Sequence, residues 1–309
     1  MEHELKARIF DIQGLSVHDG PGCRTLVFMS GCTLRCFWCS NPEGIDLRSG
    51  LMHYDSLCIL CGDCAQACLR NAITIADGQW LLAREICSDC MEQVCVEACN
   101  MDALRVSGYE MTLDETLKII QRDRFFWGVG GGVTLTGGEP LLQIDFVSEL
   151  LKESYERYIH TAIETCGNVP WENFERVLPF LEWIFYDIKN MDSQAHKKAT
   201  GVANPLILEN ARKLSAVFPG RLIFRMPLIP GFNDGESNIH DTIGFLKRAG
   251  RSELNILPLH HLGKEKYKML GREYKPDKLS IPSKEKLEQV KNTFTKAGIN
   301  CYVGSDVPF

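Results

Sequence analysis

Cysteine placement constrains this chain more than any other feature: of its 14 cysteines, eleven fall into three tight groups. The first is Cys32-x3-Cys36-x2-Cys39, the second is Cys58, Cys61, Cys64 and Cys68, and the third is Cys87, Cys90, Cys95 and Cys99. The opening MEHELKARIF lacks the apolar stretch of a secretory signal. No run approaches the roughly 18 apolar residues needed to cross a bilayer, so a cytoplasmic chain with no membrane partner is expected. That compartment does not sustain structural disulfides, which leaves the grouped cysteines as ligands or reactive thiols. Cys23, Cys166 and Cys301 stand apart, and a small buried hydrophobe is the default for each. Cys166, in ETCG beside a candidate site, is the one left open.

The number of thiolates separates the groups. A 4Fe–4S cluster held by three cysteines keeps one iron free for an outside ligand, whereas an electron-transfer cluster is normally closed by four. Zinc is the competing reading for the first run. Its sites usually draw on C-x2-C pairs plus a second pair or histidines, and no histidine lies between Met29 and Met52. For the eight later cysteines, a pair of four-cysteine zinc sites is the alternative, since both metals accept thiolate tetrads.

Residues 50–108 contain an internal repeat in which Cys58-x2-Cys61-x2-Cys64-x3-Cys68-LRNAITI overlays Cys87-x2-Cys90-x4-Cys95-x3-Cys99-NMDALRV. Each half reads as a cysteine loop, a short helical turn and a strand. Outside it, β-rich apolar runs alternate with helical patterns. Strands are expected at 25–30, 133–136, 159–165, 183–189, 222–229 and 253–259. Helices are expected at 113–122, capped by Thr112, and at 144–155. Such alternation implies a parallel sheet, and six units fall two short of a closed (β/α)8 barrel. The expected class is therefore α/β, an open, partial (β/α)6 barrel. A net charge of −6 without blocks of like charge argues against a nucleic-acid partner.

Functional groups in such a barrel collect at the C-terminal strand ends. The second expected strand runs into Gly137-Gly138-Glu139-Pro140, the third ends in Glu164-Thr165 and the fourth in Asp187-Ile188-Lys189. Asp and Lys are rarely buried unpaired, so the end of FYDIK is poorly explained as plain core. Arg225 in FRMPLIPGF suits a carboxylate, and His260 in NILPLHHLG suits hydroxyls. The glycine run at 128–132 precedes a strand rather than following one, which excludes a dinucleotide loop.

The three-cysteine run followed by GGEP resembles the radical S-adenosylmethionine (SAM) superfamily, and DIK, Arg-x-Pro and LPxH extend the resemblance over essentially the whole chain. The stretch DGPG-x-R-T beginning at Asp19 is similar to that of the activating enzymes of glycyl radical enzymes, of the pyruvate formate-lyase activase type. AIET, TGVANPLILEN and CYVG look most like the activases of arylacetate decarboxylases such as 4-hydroxyphenylacetate decarboxylase.

That resemblance implies the following. SAM chelates the open iron, the reduced cluster cleaves it to a 5′-deoxyadenosyl radical, and a glycine Cα of a large partner enzyme loses hydrogen. Trp38, Cys39 and Ser40 belong to the cofactor site, Trp38 beside the adenine, and Gly137, Gly138 and Glu139 meet the methionine amino group. Asp187, Ile188, Lys189, Arg225 and His260, the last favoured over His261, complete the SAM contacts. Glu164, Thr165 and Asp187 match positions that hold a monovalent cation, and Asp19 meets the backbone of the partner's glycine loop. The repeat resembles a two-cluster bacterial ferredoxin, in which the fourth cysteine of each run serves the other cluster. Cys58, Cys61 and Cys64 then pair with Cys99, and Cys87, Cys90 and Cys95 with Cys68. Residues 1–49 and 109–309 would form a radical SAM barrel, with 50–108 a ferredoxin-like insert. Three 4Fe–4S clusters, SAM and a flavodoxin or ferredoxin donor follow, and a monomer suffices for docking. The alternative is a radical SAM enzyme with auxiliary clusters acting on a small molecule or peptide, against which DGPG argues. An electron carrier without SAM chemistry would explain the insert alone.

Overall fold

The computed structural model describes residues 4–90 and 92–308. Its strands are β1 (Lys6–Ser16), β2 (Arg24–Met29), β3 (Leu51–His53), β4 (Ile73–Ala76), β5 (Gln79–Leu82), β6 (Leu104–Val106), β7 (Tyr109–Thr112), β8 (Gly132–Gly137), β9 (His160–Thr165), β10 (Trp183–Asp187), β11 (Arg221–Leu228), β12 (Glu253–Pro258) and β13 (Asn300–Val303). Nine of them form one sheet in the order β13-β12-β11-β10-β9-β8-β2-β1-β7. The six expected strands, β2 and β8 to β12, are contiguous and parallel, and β13 continues them in parallel. β1 runs antiparallel to both β2 and β7. The sheet is thus mostly parallel, with β13 and β7 as its edges.

Local sequence explains these elements. GVTLTG in β8 and IFY in β10 are buried almost throughout, as a parallel strand covered on both faces requires. The helix Ile144–Glu156 turns Phe146, Val147, Leu150 and Leu151 inward at helical spacing. The helix Leu113–Asp123 starts on a reciprocal cap: the Glu115 amide donates to Thr112 Oγ1, and Glu115 Oε2 accepts from the Thr112 amide. β1, β7 and β13 were not among the expected strands. They lie beyond the buried centre, where half-exposed residues blur the apolar pattern.

Residues 51–106 lie apart from the main sheet in two small antiparallel pairs, β3 with β6 and β4 with β5. Each half of the repeat contributes one helical turn, Asp63–Ala67 and Val94–Glu97. The strand after each turn pairs with the strand that precedes the other half's cysteines. Leu51, Cys64, Ile73, Cys95 and Leu104 form a core of their own there.

Candidate active site

The strand ends of β8 to β12 face one cavity of about 940 Å³. Because residues of β1 and β2 line the same space, the sheet must be concave. The two-residue period of a strand aims Phe185 and Asp187, Arg225 and Pro227, and Asn255 and Leu257 inward. Asp187 stands opposite Arg225, and Arg225 opposite Asn255, in the strand register.

These residues form a charged network. Lys189 Nζ lies 2.7 Å from Asp187 Oδ2, and Arg225 Nε lies 3.4 Å from Asp187 Oδ1. Arg225 Nη1 donates to Glu164 Oε1 at 2.5 Å and lies 4.0 Å from Asp19 Oδ1. Thr136 Oγ1 donates to the other Glu164 oxygen at 2.6 Å, and the Arg225 guanidinium stands over the Phe185 ring. Burial, and then the Asp19 charge, raise Glu164 to about 7 against the pull of Arg225. Asp187 is also pushed up by burial, but Lys189 and Arg225 outweigh that and hold it below its ordinary value. Burial works against the charge of both cations, yet their carboxylate partners prevail and raise Lys189 and Arg225.

Cys32, Cys36 and Cys39 border the same cavity. Their loop is pinned from outside: the Cys32 amide donates to the Ile45 carbonyl, Arg35 to that of Thr200 and Phe37 to that of Ala199. Burial drives the Cys36 thiol up to about 12 and Cys39 to about 11, so these groups favour ionisation only beside a strong positive charge such as a metal. The neighbouring Cys32 thiol, and then burial, raise Cys166 well above the usual thiol range. Trp38, Ser40, Gly137, Gly138, Thr165 and His260 also line the space. A Cβ on Gly138 would lie 2.1 Å from the Gly31 carbonyl oxygen. The absent side chain is therefore what lets the end of β8 slide under the cysteine loop.

Two of the expected contact residues carry side chains that lie outside the cavity. Glu139 does not line the cavity: it is fully buried and accepts hydrogen bonds from the Thr165 hydroxyl and the Cys166 and Leu141 amides. It fixes the turns that carry its neighbours. Ile188 faces the main core, because strand alternation turns it away from the side chains at 187 and 189. His260 is at the cavity, whereas both ring nitrogens of His261 are engaged by Tyr274 and Leu279. Asn255, Phe185 and Thr136 were missed. Asn255 was legible as the one uncharged polar residue inside ELNILP, whereas Phe185 carries no signal beyond its spacing from Asp187.

The other cysteines gather elsewhere. Cys58, Cys61, Cys64 and Cys99 line one small cavity with His53 and Trp80. Cys87, Cys90 and Cys95 border another of about 480 Å³ beside Asp46 and Leu47, and Cys68 is close enough to interact electrostatically with Cys87 and Cys95. Among the described residues, no three His, Cys, Asp or Glu side chains converge tightly enough to hold a single ion. The ligands of a cubane sit on separate irons and are spaced more widely. Cys301 is core, as expected, and Cys23 is half-buried. Among the described residues, no helix is long and apolar enough to cross a membrane.

The open sheet, the strand-end cavity and the three-thiol loop define a class, and the chain belongs to the radical SAM superfamily, whose family profile matches residues 26–243. Over its full length it is 42% identical to the 4-hydroxyphenylacetate decarboxylase activating enzyme of Clostridioides difficile (strain CD196), covering 99% of that protein. It is 44% identical to the isethionate sulfite-lyase activating enzyme of Nitratidesulfovibrio vulgaris, over 85% of this chain and 87% of the relative. A radical SAM methyltransferase from Sphaerobacter thermophilus shares the fold, with a TM-score of 0.53 at 16% identity over 91% of this chain and 66% of that one.

Proposed function

We propose that the protein activates a glycyl radical enzyme by removing a hydrogen atom from a glycine Cα, with SAM consumed to methionine and 5′-deoxyadenosine. The observation that carries this reading is one cavity bordered by three half-buried cysteines, a paired cation–carboxylate network and Asp19. A 4Fe–4S cluster and SAM bound there would take one electron and supply an adenosyl group that abstracts hydrogen.

The chain's own residues orient that chemistry. Cys32, Cys36 and Cys39 would hold the cluster and leave one iron for SAM. The backbone at Gly137 and Gly138 would meet the methionine amino group, and Lys189 and Arg225 its carboxylate. Trp38, Ser40 and His260 would frame the nucleoside. Glu164 and Asp187, with Thr165 beside them, offer oxygens for a monovalent cation, although the Thr165 hydroxyl is donated to Glu139. Asp19 would hydrogen-bond the backbone of the partner's glycine loop, an extended segment read through its main chain.

The insert at 50–108, between barrel segments 1–49 and 109–309, would carry two further 4Fe–4S clusters. The cavity shared by Cys58, Cys61, Cys64 and Cys99 supports one, and the proximity of Cys68 to Cys87 and Cys95 supports the other. They would pass electrons inward from a flavodoxin or ferredoxin. The full-length relative favours a decarboxylase of an arylacetate as the partner.

The test is anaerobic. The iron is reconstituted, dithionite and SAM are added, and 5′-deoxyadenosine is quantified with and without a 4-hydroxyphenylacetate decarboxylase while EPR is recorded. A glycyl doublet on the decarboxylase is expected. Cleavage without a doublet on any glycyl radical enzyme tried would return the substrate to a small molecule or peptide. Cys36→Ala is expected to abolish cleavage while sparing the insert's iron, and unchanged cleavage would overturn the site.

A further inference from the structure

Among the described residues, the largest fully buried side chain is a charged one, Arg24 at the start of β2, and it is not one of those lining the cavity. A buried cation is costly unless its donors are satisfied, and a guanidinium has five. Here neutral acceptors take them all. Nε donates to Thr134 Oγ1 at 2.7 Å. Nη1 donates to the Pro21 carbonyl at 3.1 Å and lies 3.3 Å from His160 Nδ1. Nη2 reaches the carbonyls of Val133 at 2.6 Å and His160 at 3.1 Å. Burial pulls the guanidinium down to about 10, with Glu182 and Asp19 opposing, so it remains charged at neutral pH.

This platform supports the loop from Asp19 to Gly22. The Thr134 hydroxyl, which accepts from Arg24, donates at 2.7 Å to the Asp19 carbonyl. Gly20 lies directly over the guanidinium: its φ is +137°, and a Cβ there would stand 2.7 Å from Arg24 Nε. Ser16 holds the Asp19 carboxylate at 2.5 Å from one side, and that carboxylate faces the cavity.

We propose that Arg24, acting through Thr134, is a positioning residue that fixes Asp19 at the cavity and so sets the affinity for the partner's glycine loop. This inference rests on the reading that Asp19 meets that loop. Among the described residues that line the cavity, neither Arg24 nor Thr134 appears, so their influence would pass through Asp19.

The experiment measures KM and kcat for glycyl-radical formation by the reconstituted enzyme. Its probe is a synthetic peptide bearing the radical-site glycine of a 4-hydroxyphenylacetate decarboxylase. Thr134→Val is expected to raise KM about tenfold with kcat within about twofold, and Thr134→Ser, which keeps the hydroxyl, to restore it. In an Asp19→Ala background, Thr134→Val is expected to add nothing, as coupling through one residue demands. Arg24→Lys, unable to reach all the acceptors, is expected to raise KM further than Thr134→Val. A loss in kcat alone, or effects of Thr134→Val and Asp19→Ala that simply multiply, would overturn the proposal. An Asp19→Ala variant with unchanged KM would instead overturn the partner-loop reading beneath it.

Discussion

Glu164 is the residue whose charge the cavity leaves most finely balanced. Three carboxylates, Asp19, Glu164 and Asp187, share two cations, Arg225 and Lys189. Burial raises Glu164 from 4.5 to about 7, so the folded chain retains a proton that the unfolded chain releases above 4.5. The stability this proton confers is fully present below 4.5 and is lost as pH rises through about 7, at about 1.4 kcal/mol for each pH unit in that window. Glu164→Gln cannot ionise. Its melting temperature relative to wild type is expected to climb between pH 4.5 and about 7 and to level off above, by thermal scans of the two proteins in parallel; a difference that shrinks across that window would contradict the assignment. Much of this scale was legible. Asp187 and Lys189 are charges that a buried strand end cannot explain away. The coreward side chain of Ile188 could have been read from strand alternation alone, whereas the inward turn of Glu139 depends on Thr165 and Cys166, which meet it only in the folded chain.

At the scale of elements, the join between β8 and the cysteine loop matters most. Gly138 donates its amide to the Met29 carbonyl, and Glu139 donates to Gly31, so two backbones pass with no room for a side chain. Gly138→Ala would drive a methyl group into the carbonyls of Gly31 and Gly44. Overpacking of this kind costs about 1–3 kcal/mol, and relief by shifting the loop would displace Cys32. The variant is expected to melt lower and to bind SAM at least about tenfold more weakly, as measured on reconstituted protein by calorimetry. Wild-type affinity would mean that the loop tolerates the shift. The parallel strands were readable because burial on both faces makes them continuous apolar runs. β1, β7 and β13 were not, because each sits towards an edge of the sheet where partners decide the pairing.

At the scale of the whole molecule, the repeat between 51 and 106 exchanges strands between its halves, β3 pairing with β6 and β4 with β5. That exchange brings Cys99 to Cys58, Cys61 and Cys64 and sets Cys68 near Cys87 and Cys95. The repeat itself was plain in the sequence. Which fourth cysteine lies beside which set was not, since spacing along the chain is compatible with either arrangement and only the strand exchange distinguishes them. Iron counting can separate the two. On the proposed reading, three cubanes would carry about twelve irons per chain, four each. A Cys58→Ala/Cys61→Ala chain is expected to retain about eight by colorimetric assay after anaerobic reconstitution. Adding Cys99→Ala should then change little, because its cluster is already lost. Adding Cys95→Ala and Cys68→Ala should bring the count to about four, the cluster on Cys32, Cys36 and Cys39 alone. If Cys68→Ala were the silent addition and Cys99→Ala removed more iron, each run would close its own cluster, and the strand exchange would have no bearing on how the metal is held.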